Sequence, residues 1–305
     1  MDWPWLHTIA RQFIASDAFG TLAEGAFGAL FGAWGAQAVI SRGQNKQAMA
    51  AELNSVSAAL ALCFTITNRF ASLKRQHVRD MRDRYEQARQ DFEAAWNAPS
   101  PGASAQPRVI DVLADMQTIT PVKVPIELLE RNVFEKMSIR GRALVVTTEL
   151  TGAIDGLERS IKYRNDLIAE IQQGPAPTPR ALAERYFGLR NAGGRIDERF
   201  GMSIAAIFNQ TDDCIFFSRI LADDLSAYGR KLRRRYIWRF RSRFPKFVPA
   251  DWSTAEAAGL IPPEAQYANW LRGFKKTETR LQRMVSWIRA RTSGNRSAGN
   301  ASNLD

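Results

Sequence analysis

The sequence predicts an all-α protein: an N-terminal Gly/Ala-rich transmembrane helix followed by a cytoplasmic helical bundle with long antiparallel helices. Three observations predict it. Residues 18–40 read AFGTLAEGAFGALFGAWGAQAVI, and Glu24 is their only charge. Residues 44–97 contain neither Pro nor Gly, so nothing in them breaks a helix. Strand-like alternation is nearly absent, with residues 142–148 the only tempting run.

The elements follow in order. Residues 1–17 carry Trp3, Trp5, Leu6, Ile9, Phe13 and Ile14, the pattern of an amphipathic segment lying in a membrane interface. Residues 18–40 rise ~35 Å as a helix, enough to cross a ~30 Å hydrocarbon core. At ~100° per residue, Phe19, Phe27, Leu30, Phe31 and Trp34 fall on one face. Gly25, Gly28, Gly32, Gly35 and Ala36 fall on the other. In lipid, helices associate through close backbone approach along small residues. This face is therefore the expected helix-association site, and the chain an expected homo-oligomer. Two other readings of residues 18–40 are a buried core helix and a secretory signal ending at Ala36-Gln37-Ala38. Arg11 as the only cation before the run, and the length of the run, argue against the signal.

Residues 44–96 read as one long helix. Leu53, Val56, Leu60 and Phe64 begin its apolar stripe, and Phe64, Ala71, Val78, Tyr85 and Phe92 then recur every seventh position. Lys74 breaks that seam, which points to packing by neighbouring helices rather than an isolated coiled coil. Residues 97–107 and 174–179 are Pro-rich linkers. Helices are expected over 109–119, 126–137, 140–172, 180–190, 196–243 and 264–291, with turns at 121–125 and 191–194. The bundle domain is thus expected over 44–292, and 293–305 as a disordered polar tail.

Composition narrows the function. The chain has 305 residues, 42 Lys+Arg against 31 Asp+Glu, a net charge of +11 and a pI near 10.0, which implies acidic partners. Cys63, Cys214, His7 and His77 are its only cysteines and histidines. A disulfide scaffold, a Cys- or His-rich metal centre and a Ser-His-Asp triad are hard to assemble from them. No phosphate-binding loop, dinucleotide fingerprint or nucleophile elbow occurs. No catalytic residue, metal or cofactor is expected.

The charge is concentrated. Residues 230–246, RKLRRRYIWRFRSRFPK, hold nine Lys/Arg and no acid. Arg230, Lys231, Arg233, Arg234, Arg235, Arg239, Arg241, Arg243 and Lys246, with Trp238 and Phe240 between them, form the expected site for an anionic partner. Arginine binds phosphate bidentately, and interleaved aromatics insert among headgroups or stack on bases. Anionic lipid is the expected partner, at ~1 kcal/mol per cation near the surface; nucleic acid is the alternative, although no base-reading motif is present. The Asp pairs 212–213 and 223–224 repeat at a spacing that puts Asp212 and Asp223 on one helix face. Those two lie ~16 Å apart along the axis, too far to share an ion, so ordinary pairing with arginines is expected.

The expected protein is membrane-anchored and self-associating, with a structural, sensing or membrane-effector role. It is single-pass in the cell membrane, and Arg42 and Lys46 after the span put the C-terminal part in the cytoplasm. The alternatives are a soluble all-α nucleic-acid-binding protein with residues 18–40 buried, and an enzyme using the Asp-rich helix 196–243.

Overall fold

The structure is a computed structural model describing residues 17–97, 114–174, 177–191 and 193–274, with side-chain surroundings from residue 34 onward. Residues 1–16, 98–113 and 275–305 lie outside the described residues. So do most of the interfacial segment, most of the first linker and the whole tail. The described residues are nearly all helical and contain no strand; Arg190 and Ile196 form an isolated antiparallel bridge across the expected turn. The chain divides into two compact units, one ending at Ile261 and one beginning at Pro262.

In the first unit, α1 (Asp17–Leu73) runs through a π-helical segment (Lys74–Val78) into α2 (Arg79–Asn97). The joint at residues 41–43 does not interrupt it, so the Gly/Ala-rich stretch and the long polar helix are one rod. Then come α3 (Ile126–Glu135), α4 (Arg142–Gln173), α5 (Pro179–Phe187), α6 (Arg199–Phe240) and α7 (Ser253–Ala257). The second unit holds a 3-10 turn (Glu264–Tyr267), α8 (Ala268–Arg272) and a turn at residues 273–274. The expected helix over 264–291 is thus broken up within its described part.

α6 is the middle helix. It packs along α1 on one side and α4 on the other. Thr67 meets Ser218 at 2.7 Å, and Lys74 meets Asp212 at 2.5 Å. A methyl at Gly229 would lie 3.0 Å from Val56 and 3.1 Å from Phe247. The partners advance in opposite directions, so α1 and α6 are antiparallel. Arg142 with Asp224, and Arg164 over Phe200, give α4 and α6 the same relation.

The seam between α1 and α6 corrects the sequence reading. Upstream of the π segment the buried positions recur at Val56, Cys63 and Phe70; downstream they recur at Val78, Tyr85 and Phe92. Each set is a seven-residue repeat, but Phe70 to Val78 is a step of eight. The π turn takes up the extra residue. The expected repeat through Phe64 and Ala71 is the downstream frame carried back across the π turn by two heptads. Ala71 is buried, but Phe64 is 44% exposed and lies against the Trp252 ring at 5.6 Å.

Two helix assignments are also corrected. Of the expected helix over 109–119, the described residues from 114 are not helical and have no regular secondary structure. Their backbone groups are taken by side chains of α4 and α5. Arg164 donates to the carbonyls of Gln117 and Asp115 at 2.6 and 3.2 Å. Asn165 accepts from the Ile119 N–H and donates to its carbonyl. The Tyr186 hydroxyl accepts from the Asp115 N–H. The helix expected over 196–243 ends at Phe240, where Arg241 caps it in the left-handed conformation and donates its N–H to the Ile237 carbonyl. By contrast, the break at 174–179 follows its sequence logic. Thr178 caps α5 through the Ala181 N–H, Pro179 opens it, and Gly188 at φ +67° closes it.

Candidate functional site: a basic and aromatic end beside the apolar helix

Residues 34–40 of α1 are exposed throughout. Trp34 is 78% exposed, Val39 73% and Ile40 54%. A Cβ on Gly35 would meet nothing within 4 Å. Burial on α1 begins at Met49 and Ala50, and Leu53 is fully buried. Residues 34–40 of α1 therefore lie outside the packing of the other described helices. Gly25, Gly28 and Gly32 lie on the same helix, in the part whose side-chain surroundings are not described. Gly35 and Ala36 continue that face into the exposed stretch.

The antiparallel register sets the C-terminal end of α6 against the point where α1 emerges. Leu232, Tyr236 and Phe240 form a cluster with Leu53, bordered by Met49 and Ala50. After Arg241 the chain turns back over this cluster. The Arg233 Nε donates to the Phe244 carbonyl at 2.8 Å, and Phe244 and Phe247 cover the cluster from outside. Gly229 lets Phe247 and Val56 approach α6 this closely, since a side chain there would collide with both. A hydrophobic knot thus fixes the basic segment about two and a half to three and a half helical turns from Ile40 along α1, roughly 13–20 Å by the helical rise.

That knot sorts the predicted residues. Phe240, expected beside Trp238 to insert into a partner, is 8% exposed and belongs to the core. Arg233 is half-buried and holds the returning chain. Trp238 is 75% exposed. Arg230, Lys231, Arg234, Arg235, Arg239, Arg241, Arg243 and Lys246 are all exposed. Arg230 donates to the Ser226 hydroxyl, and Arg239 lies over the Phe240 ring at 5.6 Å. None of these eight forms an ion pair with a described carboxylate, whereas Arg142, Arg180, Arg185 and Arg199 all do. Glu52, the acid of α1 at this level, is engaged otherwise: it accepts from the Tyr228 hydroxyl and, at 2.5 Å, from the Ser138 N–H. The end of α6 is thus a block of positive charge without an ion-paired carboxylate among the described residues, with Arg42 and Lys46 on the adjoining exposed part of α1.

An open groove of about 430 Å³ lies within this block, lined by Arg234, Ile237, Trp238, Arg241, Ser242 and Arg243. A larger groove, about 700 Å³, lies where residues 118–122 cross α1 and includes Arg69 and His77. Arg69 is bonded to the Lys123 carbonyl, and no concentration of charge marks this second groove.

Two aspartates of the Asp-rich stretch of α6, Asp212 and Asp224, are held in ion pairs. Asp212 is buried and pairs with Lys74, not with an arginine; Asp224 takes a bidentate pair from Arg142 at 2.6 and 2.9 Å. Lys74 also donates to the Leu260 carbonyl at 3.2 Å and lies over the Phe208 ring. Burial pushes the Asp212 carboxyl above its usual range, against the pull of Lys74. Among the described residues no His, Cys, Asp or Glu cluster is arranged to hold a metal ion. Cys63 and Cys214 are fully buried, and burial pushes both thiols up, away from the reactive thiolate.

No protein family, curated protein or solved structure matches the chain. Among the described residues one helix, Trp34–Trp96, near the N-terminus, is long and apolar enough to cross a membrane by length and composition, as the core helix of a soluble protein or a signal sequence can also be.

Proposed function

We propose that the protein is anchored by one membrane-crossing helix, residues 18–40, and that the basic end of α6 rests on the anionic surface of the same leaflet. A cytoplasmic helical bundle carries that end, following the tendency of Arg and Lys to stay on the cytoplasmic side. The carrying observation is the coincidence of level. The cations at the end of α6 and exposed Trp238 surround the place where the apolar helix leaves the packed part. Cations near an anionic leaflet gain ~1 kcal/mol each, and tryptophan favours the headgroup boundary. The open Gly35 and Ala36 surface supports self-association through the small-residue face. The role is structural, sensing or effector-like. A soluble nucleic-acid-binding reading needs residues 18–40 inside a core, and the exposure of residues 34–40 speaks against it.

Alkaline carbonate washing of native membranes tests the anchor. The protein is expected to stay in the pellet, with its oligomers crosslinkable there and reduced by Gly28→Leu and Gly32→Leu. Recovery in the wash supernatant would reject the anchor.

A further inference from the structure

Within the basic block, one feature departs from plain electrostatics. Arg234, Arg241 and Arg243 converge on one groove with Trp238 and Ile237 as its apolar wall. Three of its six lining residues are arginines and none is acidic. At about 430 Å³ it accommodates a group larger than an isolated inorganic anion. Arg241 stands there in the left-handed backbone conformation, φ 52° and ψ 25°, the one non-glycine residue with positive φ among the described residues. Glycine is the usual occupant of such a helix-ending position, because a Cβ is disfavoured there. The capping hydrogen bond to the Ile237 carbonyl comes from the backbone and does not need the arginine side chain. The side chain supplies the groove with a third cation.

We propose that this groove binds the phosphomonoester headgroup of a membrane lipid, with Arg234, Arg241 and Arg243 on the phosphate oxygens and Trp238 against the glycerol and upper acyl region. This rests on the membrane reading above and adds stereochemical selectivity to it. Guanidinium groups meet phosphate oxygens in pairs of parallel hydrogen bonds. A terminal phosphomonoester carries about −1.5 to −2 charge and three free oxygens, so it engages more than one arginine. A phosphodiester, with a single charge and two free oxygens, satisfies fewer. The lipid source follows from the groove's place at the level where α1 leaves the packed helices, and from its apolar wall.

The test uses the full chain in an uncharged detergent, titrated calorimetrically with three dihexanoyl lipids: phosphatidic acid, phosphatidylglycerol and phosphatidylcholine. Phosphatidic acid is expected to bind about tenfold tighter than phosphatidylglycerol. Arg243→Gln and Arg241→Gly are each expected to cost about tenfold for phosphatidic acid. Lys231→Gln, outside the groove, is expected to cost about threefold or less. Arg241→Gly should melt at the same or a higher temperature, since glycine suits that backbone. Loss of binding together with unchanged or raised stability separates a ligand contact from a structural role. Were Arg241→Gly to fold poorly, Arg243→Gln would carry the comparison. Equal affinity for phosphatidic acid and phosphatidylglycerol, both above phosphatidylcholine, would overturn the groove and leave the electrostatic surface standing. No preference over phosphatidylcholine would overturn both. Glycerol 3-phosphate binding as tightly as the lipid would assign the groove to a soluble phosphomonoester. Displacement of the lipid by a tighter-binding single-stranded oligonucleotide would assign it to nucleic acid. Either result rejects the lipid proposal.

Discussion

Replacing Lys74 by Met is expected to destabilise the packed helices by about 3–5 kcal/mol. The two side chains of the Lys74–Asp212 pair are 5% and 8% exposed. Removing the cation leaves a buried carboxylate facing Phe208, with only Arg82 and the neighbouring Asp213 adding to its field. Its desolvation is then opposed by Arg82 alone. The double variant Lys74→Met, Asp212→Leu is expected to recover most of the loss, because apolar groups of similar volume replace a buried pair at little net cost. The pH dependence has a definite sign. Burial already raises the Asp212 carboxyl above its unfolded value. The stability it contributes is therefore fully present below the ordinary carboxylate range and is lost as pH rises through the raised folded value. Without Lys74 that value rises further, so the penalty should be largest at neutral pH and shrink on acidification. Urea unfolding of the two variants at neutral and acid pH checks this. A Lys74→Met penalty under about 1 kcal/mol, or one independent of pH, would mean that the pair is not buried in solution.

The second large effect is electrostatic. Changing Arg234, Arg235, Arg239, Arg241 and Arg243 together to Gln is expected to lower binding to acidic liposomes by roughly several thousandfold, from ~1 kcal/mol per cation. Arg233 is left in place because it holds the chain at Phe244. The comparison uses residues 41–305, so that the anchor does not mask the surface; this truncation removes no described buried residue. The unsubstituted surface should release from acidic liposomes as salt is added. Trp238→Ala should weaken binding with little change in salt dependence, since its contribution is insertion. Phe240→Ala should instead lower stability, by the ~3–5 kcal/mol typical of an aromatic removed from a core, because Phe240 packs on Leu53 and Leu232. Equal binding of the parent protein to neutral and acidic liposomes would contradict the charge argument.

Much of the helical architecture was legible because residues 44–97 lack breakers and because the Pro-rich break at 174–179 announces α5, although that helix ends at Phe187, before Gly188, and not at the expected 190. The reading failed where the deciding contacts are distant in the chain. Lys74 announced itself by interrupting the apolar seam. That its interruption is a one-residue change of frame, answered by Asp212, depends on the register of α6. The irregular path from residue 114 looked helical by composition; it is set by Arg164, Asn165 and Tyr186, more than forty positions away. The basic segment was plain as charge. Its division into a core part, Tyr236 and Phe240, and an outward part around Trp238 needed the packing of Leu53. Its place beside the emerging apolar helix needed the antiparallel pairing of α1 with α6. The left-handed Arg241 has no local sequence signal, since glycine is the residue that marks such a position.

The most direct measurement is depth in a bilayer. Cys63 and Cys214 are buried, so cysteines introduced at Ala29, Arg239 and Arg84 are the sites open to spin labelling. In lipid nanodiscs containing acidic lipid, the label at 29 should be relaxed by oxygen and shielded from a water-soluble nickel complex. The label at 239 should report the headgroup region, and the label at 84 should report water. A label at 29 as open to the nickel complex as the label at 84 would contradict the membrane-crossing account.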